Sequence, residues 1–85
     1  MYYVYMLRMD DNSLYTGITT DVERRYKEHK TKSSKAAAYT KSRNVVSLEA
    51  VWKAKDRSEA SKLEHKIKQL SKKEKERLIL SQKNL

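Results

Sequence analysis

Tyr2-Tyr3-Val4-Tyr5-Met6-Leu7-Arg8-Met9, then Asp10-Asp11-Asn12-Ser13, then Leu14-Tyr15-Thr16-Gly17-Ile18: this opening stretch governs how the rest of the chain is read. The first run is aromatic and branched enough to form a strand. The four polar residues after it are turn formers, whose side chains hydrogen-bond their own backbone. Leu14 to Ile18 reads as a second strand, so the stretch predicts a hairpin. Alternation sets Tyr3, Tyr5 and Leu7 on one face of the first strand and Val4, Met6 and Arg8 on the other. On the second strand Tyr15 and Gly17 share a face, opposite Leu14, Thr16 and Ile18. A connection with an odd number of residues places Tyr5, Leu7, Tyr15 and Gly17 together, whereas an even one separates the two tyrosines. Both registers are open to the sequence, and only the odd one allows a site built on both phenols.

Gly17 is the only glycine, and the chain has no proline. A glycine at that place marks a bulge, a strand end or a close approach of another group to the backbone. Downstream, Thr20-Asp21 offers an N-cap and Val22 to about Lys30 a first helix, with Glu23 early, where the helix dipole favours an acid. At about 100° per residue, Val22, Arg25, Tyr26 and His29 fall in one narrow sector, while Arg24, Lys27 and Glu28 point mostly at water. Arg25 could be an arginine lying along the rim of an apolar stripe. An arginine and a histidine four residues apart beside the only apolar residues of the helix point further, to a site.

From Thr31 to Asn44 the chain is polar and basic. Lys32, Lys35, Lys41 and Arg43, with Lys30, surround Ala36-Ala37-Ala38-Tyr39, a loop with one helical turn at the alanines. Cations around one aromatic fit a surface that grips a nucleic-acid backbone and stacks a base. A solvated connector with Tyr39 tucked onto the core fits the composition equally well. Val45 to Ala54 predicts a third strand, with Val46, Leu48, Ala50 and Trp52 on one face and Trp52 in the core. Asp56-Arg57-Ser58-Glu59 is a capping-box pattern opening a helix to about Leu70, with the stripe Ala60, Leu63, Ile67, Leu70. Glu64 sits on the rim of that stripe and His65 on the solvent side. Ser71 to Glu74 repeats the pattern and starts a last helix, with Leu78, Ile79 and Leu80 inward. Residues 81–85 are expected to fray.

The 85 residues suit one small domain and hold 20 Lys and Arg against 11 Asp and Glu, a formal charge of +9. Such a field attracts polyanions, of which nucleic acid is the commonest. No cysteine is present, which excludes disulfide-linked partners and a cysteine-ligated zinc. Two histidines argue against a dedicated zinc site. No apolar run is long enough for a membrane span, and the amino terminus lacks a signal-peptide pattern, so a cytoplasmic location is expected.

Tyr3-Val4-Tyr5, Tyr15-Thr16-Gly17 and Arg25 with His29, followed by a later helix carrying Glu64, resemble the GIY-YIG nuclease superfamily. The similarity is greatest to its small stand-alone bacterial members, and it spans Tyr2 to about Leu80. Leu14 to Asp21, running into Glu23-Arg24-Arg25, is close to the pattern of that group. Tyr3 and Val4 stand where many members have glycine and isoleucine, and Thr16 stands for isoleucine. A late asparagine used by some branches has no counterpart, since Asn84 lies in the expected tail.

The resemblance implies a mixed α/β fold: a three-stranded antiparallel sheet flanked by about three helices in the order β-β-α-β-α-α, as one domain over residues 1–85. It implies a metal-dependent endonuclease that hydrolyses DNA, or RNA, phosphodiesters by nicking or by single-strand or flap cleavage, in DNA repair or processing. Glu64 would hold one divalent cation, Mg²⁺ or Mn²⁺, mostly through water and phosphate. Arg25 would pair with a non-bridging phosphate oxygen, which suits a planar guanidinium. Tyr5 would deprotonate or position the attacking water, Tyr15 would orient water or phosphate, and His29 would hydrogen-bond a tyrosine and pass its proton on. Gly17 would leave room for a close approach. With one centre per domain, a monomer would nick, and cutting both strands would need a transient dimer or two encounters. A binding module that kept the fold without turnover is the alternative, for which the charge alone suffices.

Overall fold

In a computed structural model of the chain, the structure is described for residues 1–31 and 43–83. The order is β1 (Tyr2–Met9), β2 (Leu14–Thr19), α1 (Val22–Lys30), β3 (Val45–Ala54), α2 (Arg57–Lys68) and α3 (Lys72–Lys83). The three strands form one antiparallel sheet in the order β2-β1-β3, so the mixed α/β fold and the β-β-α-β-α-α order are as expected. Lys32, Lys35, Tyr39 and Lys41 of the basic segment lie outside the described residues.

The hairpin register settles the question left open by the sequence. Tyr5 pairs with Gly17, Leu7 with Tyr15 and Arg8 with Leu14, leaving residues 9–13, an odd number, to connect them. Asn12 takes the left-handed conformation in that turn (φ 68°), which asparagine tolerates better than most residues. The Ser13 N–H and hydroxyl both donate to Asp11 Oδ1, at 3.0 and 2.5 Å. Two strands with this pairing put Tyr5, Leu7, Tyr15 and Gly17 on one face.

The sheet has unlike coverings. Val4, Met6, Leu14, Ala50 and Ala54 form an apolar cluster with Ala60 and Ile67 of α2 and Ile79 of α3. On the opposite face Tyr5, Leu7 and Met9 form a second cluster, against which Tyr15, Val45, Val51 and Tyr26 of α1 pack. Side chains of β1 are buried on both faces because each face of the sheet is covered, one by α2 and α3 and the other by α1.

The helices begin where the sequence placed their caps. Asp21 accepts from the Arg24 N–H at 3.1 Å and Asp56 from the Glu59 N–H at 2.9 Å. Ser71 and Glu74 satisfy each other's backbone N–H groups, a reciprocal capping box. Arg8 ties α3 to the sheet, donating to Glu76 at 2.6 and 2.8 Å and to Glu49 at 2.9 and 3.1 Å. Those contacts hold Glu76 well below the usual carboxylate range, at about 2, with Lys72 adding to the effect. The Gln82 side-chain amide accepts from Val51 N–H at 3.1 Å and donates to Val51 C=O, so α3 runs to Lys83, into the tail expected to fray.

Three packing expectations change. The β1–β3 register shifts between Met6 and Leu7 and again between Arg8 and Met9, which breaks the alternation assumed for β3. Leu48 therefore pairs with Leu7 instead of following Ala50 and Trp52, and Val46 and Leu48 are exposed. Trp52 is half-buried at the margin of the apolar cluster, whose interior is filled by smaller residues. Leu80 points outward at 60 % exposure, while Ile79 is buried.

Candidate active site

Three aromatic rings meet on the α1 face. The Tyr5 and Tyr15 ring centres are 6.3 Å apart, Tyr5 and His29 5.8 Å, and Tyr15 and His29 5.3 Å in an edge-on arrangement. β1 and β2 supply the tyrosines through the register above, and α1 supplies His29 one turn after Arg25. His29 is fully buried, and its Nε2 lies 2.8 Å from Tyr5 Oη.

Gly17 explains how Tyr5 reaches that position. It has no positive φ, so the position does not need glycine for its backbone angles. A Cβ at residue 17 would lie 2.6 Å from Tyr5 Oη and 2.7 Å from Cζ. The phenol of Tyr5 thus lies across the backbone of its own cross-strand partner, and only a residue without a side chain leaves that space. The close approach read from the sequence is intramolecular, and no bulge interrupts this strand pair.

The electrostatics suit proton exchange between neutral groups. Burial, followed by the nearby Tyr15, pushes the Tyr5 phenol well above its ordinary value, while the Arg25 guanidinium offsets part of the rise. Burial, then the Arg25 charge, pulls His29 down to about 4. At neutral pH the imidazole is therefore uncharged, and in the tautomer protonated on Nδ1 its Nε2 accepts the Tyr5 O–H hydrogen bond.

Arg25 is half-buried and pairs with Glu28 at 3.0 Å. This corrects the expectation that Glu28 points at water: three residues on from Arg25, it stays on the inner side of α1. Both residues line a groove of about 410 Å³ with Arg24, Thr19, Tyr2 and, from α2, Arg57. Sequence phase dismissed Arg24 as outward. It is exposed, and it also borders this groove. Arg57 carried no signal in the sequence beyond its charge, because the β2 edge that brings the two helices together is a tertiary feature. His65 is on the solvent side as expected, beside Gln69 at 3.0 Å. Arg43 pairs with Asp11 at 2.9 Å.

Glu64 is carried by α2, on the side of the sheet opposite α1. Its helix covers the apolar face, and its carboxylate is half-buried with Lys68 at 3.6 Å. The link is through Arg57, seven residues earlier, which on an ideal helix is about two turns and ~10 Å away on the same side of α2. Arg57 borders the groove that Arg25 lines, so the Glu64 side of α2 runs down from the groove at the β2 edge. Among the described residues no three of His, Cys, Asp and Glu cluster as ligands. A single carboxylate fits a hard cation such as Mg²⁺, which keeps most of its water, and does not fit a cation held wholly by protein.

Comparison with known proteins places the chain in a family. The family model for the GIY-YIG catalytic domain matches residues 1–77. The UPF0213 protein YhbQ of Salmonella arizonae is 46 % identical over 81 residues, covering 95 % of this chain and 79 % of the relative. The UPF0213 protein FN1575 of Fusobacterium nucleatum is 50 % identical over 78 residues, covering 92 % and 76 %. The solution NMR structure of the UPF0213 protein BH0048 from Bacillus halodurans superimposes with a TM-score of 0.58 at 42 % identity, over 93 % of this chain and 83 % of that one. The fold is that of a nuclease-type domain. This chain belongs to the GIY-YIG family, whose members are usually endonucleases acting on nucleic acid. No helix among the described residues is long and apolar enough to cross a membrane.

Proposed function

We propose that the protein is a metal-dependent endonuclease that hydrolyses DNA phosphodiester bonds, nicking or cutting single strands and flaps in DNA repair or processing. The observation that carries this reading is the 2.8 Å contact between Tyr5 Oη and a neutral, buried His29, next to Arg25 and Tyr15. A phenol whose ionisation is this strongly opposed by burial is a poor base by itself. Coupled to His29, it can accept a proton from water as its own proton passes to Nε2, so no free phenolate is needed. Tyr15, less buried than Tyr5, is the phenol that a substrate or water reaches first. Arg25 turns from Glu28 to a non-bridging oxygen and stabilises the negative charge that builds up there. Glu64 would hold one Mg²⁺ or Mn²⁺, which supplies charge neutralisation and help to the leaving oxygen when bound. Arg43, with Lys32, Lys35, Tyr39 and Lys41, would extend the grip on the backbone, acting from a monomer in the cytoplasm.

Cleavage of labelled single-stranded, flapped and duplex DNA with Mg²⁺ or Mn²⁺ tests this. The parent should cut, and Arg25→Ala and Glu64→Ala should each lose at least about 100-fold. Equal cutting by all three would mark a contaminant and end the assignment. The charge of +9 also supports a binding module on the same fold, which would show no cutting by any of them and binding that weakens steeply with salt.

A further inference from the structure

Arg24 and Arg57 have no task in the chemistry above. Arg24 is the third residue of α1 and Arg57 the first of α2. Both therefore sit in a first turn, where the helix dipole disfavours a cation. Both are exposed, and neither makes an ion pair among the described residues. Yet they converge from two helices, on opposite sheet faces, onto one groove at the open edge of β2, where Arg25 is their neighbour. Three guanidinium groups face one carboxylate there, Glu28, and Arg25 already holds it. Neither helix gains stability from this placement, and the excess charge is concentrated in a concave strip continuous with the site.

We propose that this groove seats the phosphate adjacent to the one being cut, with Arg24 and Arg57 closing on it from either side. The proposal rests on the nuclease reading for what Arg25 contacts, and it deepens that reading by naming the substrate class. The substrate is a nucleic-acid strand carrying at least one phosphate beyond the reacting one. Arg25, shared by groove and site, sets the register between the two phosphates. Guanidinium contacts to backbone carry no base information, so the groove positions a strand without selecting its sequence. Arg24 and Arg57 are positioning residues and do not touch the reacting atoms.

The test is binding of a fluorescent single strand of about 12 nucleotides, a length one small domain can cover, across a series of salt concentrations without divalent metal. The proteins are the parent, Arg24→Ala, Arg57→Ala, the double variant, and Lys66→Ala as an exposed α2 charge outside the groove. The double variant should bind at least about tenfold more weakly, and its log–log salt slope should fall by about 0.7, the value for one lost phosphate contact on a single strand. Lys66→Ala should keep the slope of the parent, and thermal melting should show every variant folded. An unchanged slope in the double variant, or an equal loss in Lys66→Ala, overturns the assignment. Cleavage of the same strand separates the two claims. If the parent never cuts but the slope falls as stated, the nuclease reading fails and the groove stands as a seat for a backbone phosphate. If the double variant binds and cuts like the parent, the groove fails and the nuclease reading stands.

Discussion

β1 presents two environments one residue apart. Its Val4 and Met6 face is sealed by Ala60, Ile67 and Ile79 and contains nothing that reacts. Its Tyr5 and Leu7 face is equally buried, but it is built from phenols, an imidazole and a glycine left bare so that one phenol can lie over it. The first face can be judged by volume alone, since apolar packing tolerates exchange of similar shapes. The second depends on individual atoms. One strand in the middle of the sheet supports both, and a mutation should therefore damage stability or chemistry according to the parity of its number.

The largest effect is expected at Gly17. Gly17→Ala puts a methyl where Tyr5 Oη now lies, 2.6 Å away, and must move the phenol off His29. Single-turnover cleavage should fall by about 100-fold or more, consistent with loss of acid–base catalysis, while the overpacking costs roughly 1–3 kcal/mol in denaturant melts. Met6→Ala on the other face should reverse that balance. Removing a fully buried side chain should cost about 2–5 kcal/mol, with the activity per folded molecule close to that of the parent.

A third prediction concerns pH. His29 is held at about 4 in the folded protein against 6.5 when free. Its folded value is depressed, so the unfolded chain takes up the proton first as pH drops. Stability is at its full value above pH 6.5 and declines towards pH 4, by up to about 1.4 kcal/mol per pH unit for one proton. Urea melts between those limits should show the slope in the parent and lose it in His29→Gln. Cleavage should keep its acid limb nearer pH 4 than 6.5 for the same reason. The smallest effect is at Thr16, whose buried Oγ1 has no hydrogen-bond partner among the described residues. Thr16→Val keeps the shape and removes the unpaired hydroxyl, so it should stabilise the protein by about 1 kcal/mol without altering cleavage.

The face that carries the chemistry was the more legible of the two in sequence. Period-two alternation around Tyr5, Tyr15 and Gly17, and the helical phase of Arg25 and His29, are local relations that a backbone cannot easily alter. What they left open was register, which depends on a turn whose geometry rests on Asn12 and Asp11. Less legible was whatever required two elements to be placed against each other. Glu28 is turned inward by Arg25, Arg57 is brought to Arg24 across the β2 edge, and Val46 and Leu48 are displaced by register shifts that no alternation rule anticipates. Glu64 stood out only as a carboxylate beside an apolar stripe, and its bearing on the groove appears once Arg57 is located two turns before it.

The pair Tyr5–His29 is the centre of the account, and Tyr5→Phe probes it most directly by removing one oxygen while keeping the ring over Gly17. Single-turnover cleavage of a labelled single strand with saturating Mg²⁺ should slow by about 100-fold or more, with strand binding like that of the parent. The variant should fold but be less stable by about 1–3 kcal/mol in melts, because the buried His29 loses its Tyr5 partner. Cleavage by Tyr5→Phe at the parental rate would show that the proton does not pass through this phenol, and the assignment of the α1 face as the reacting site would be wrong.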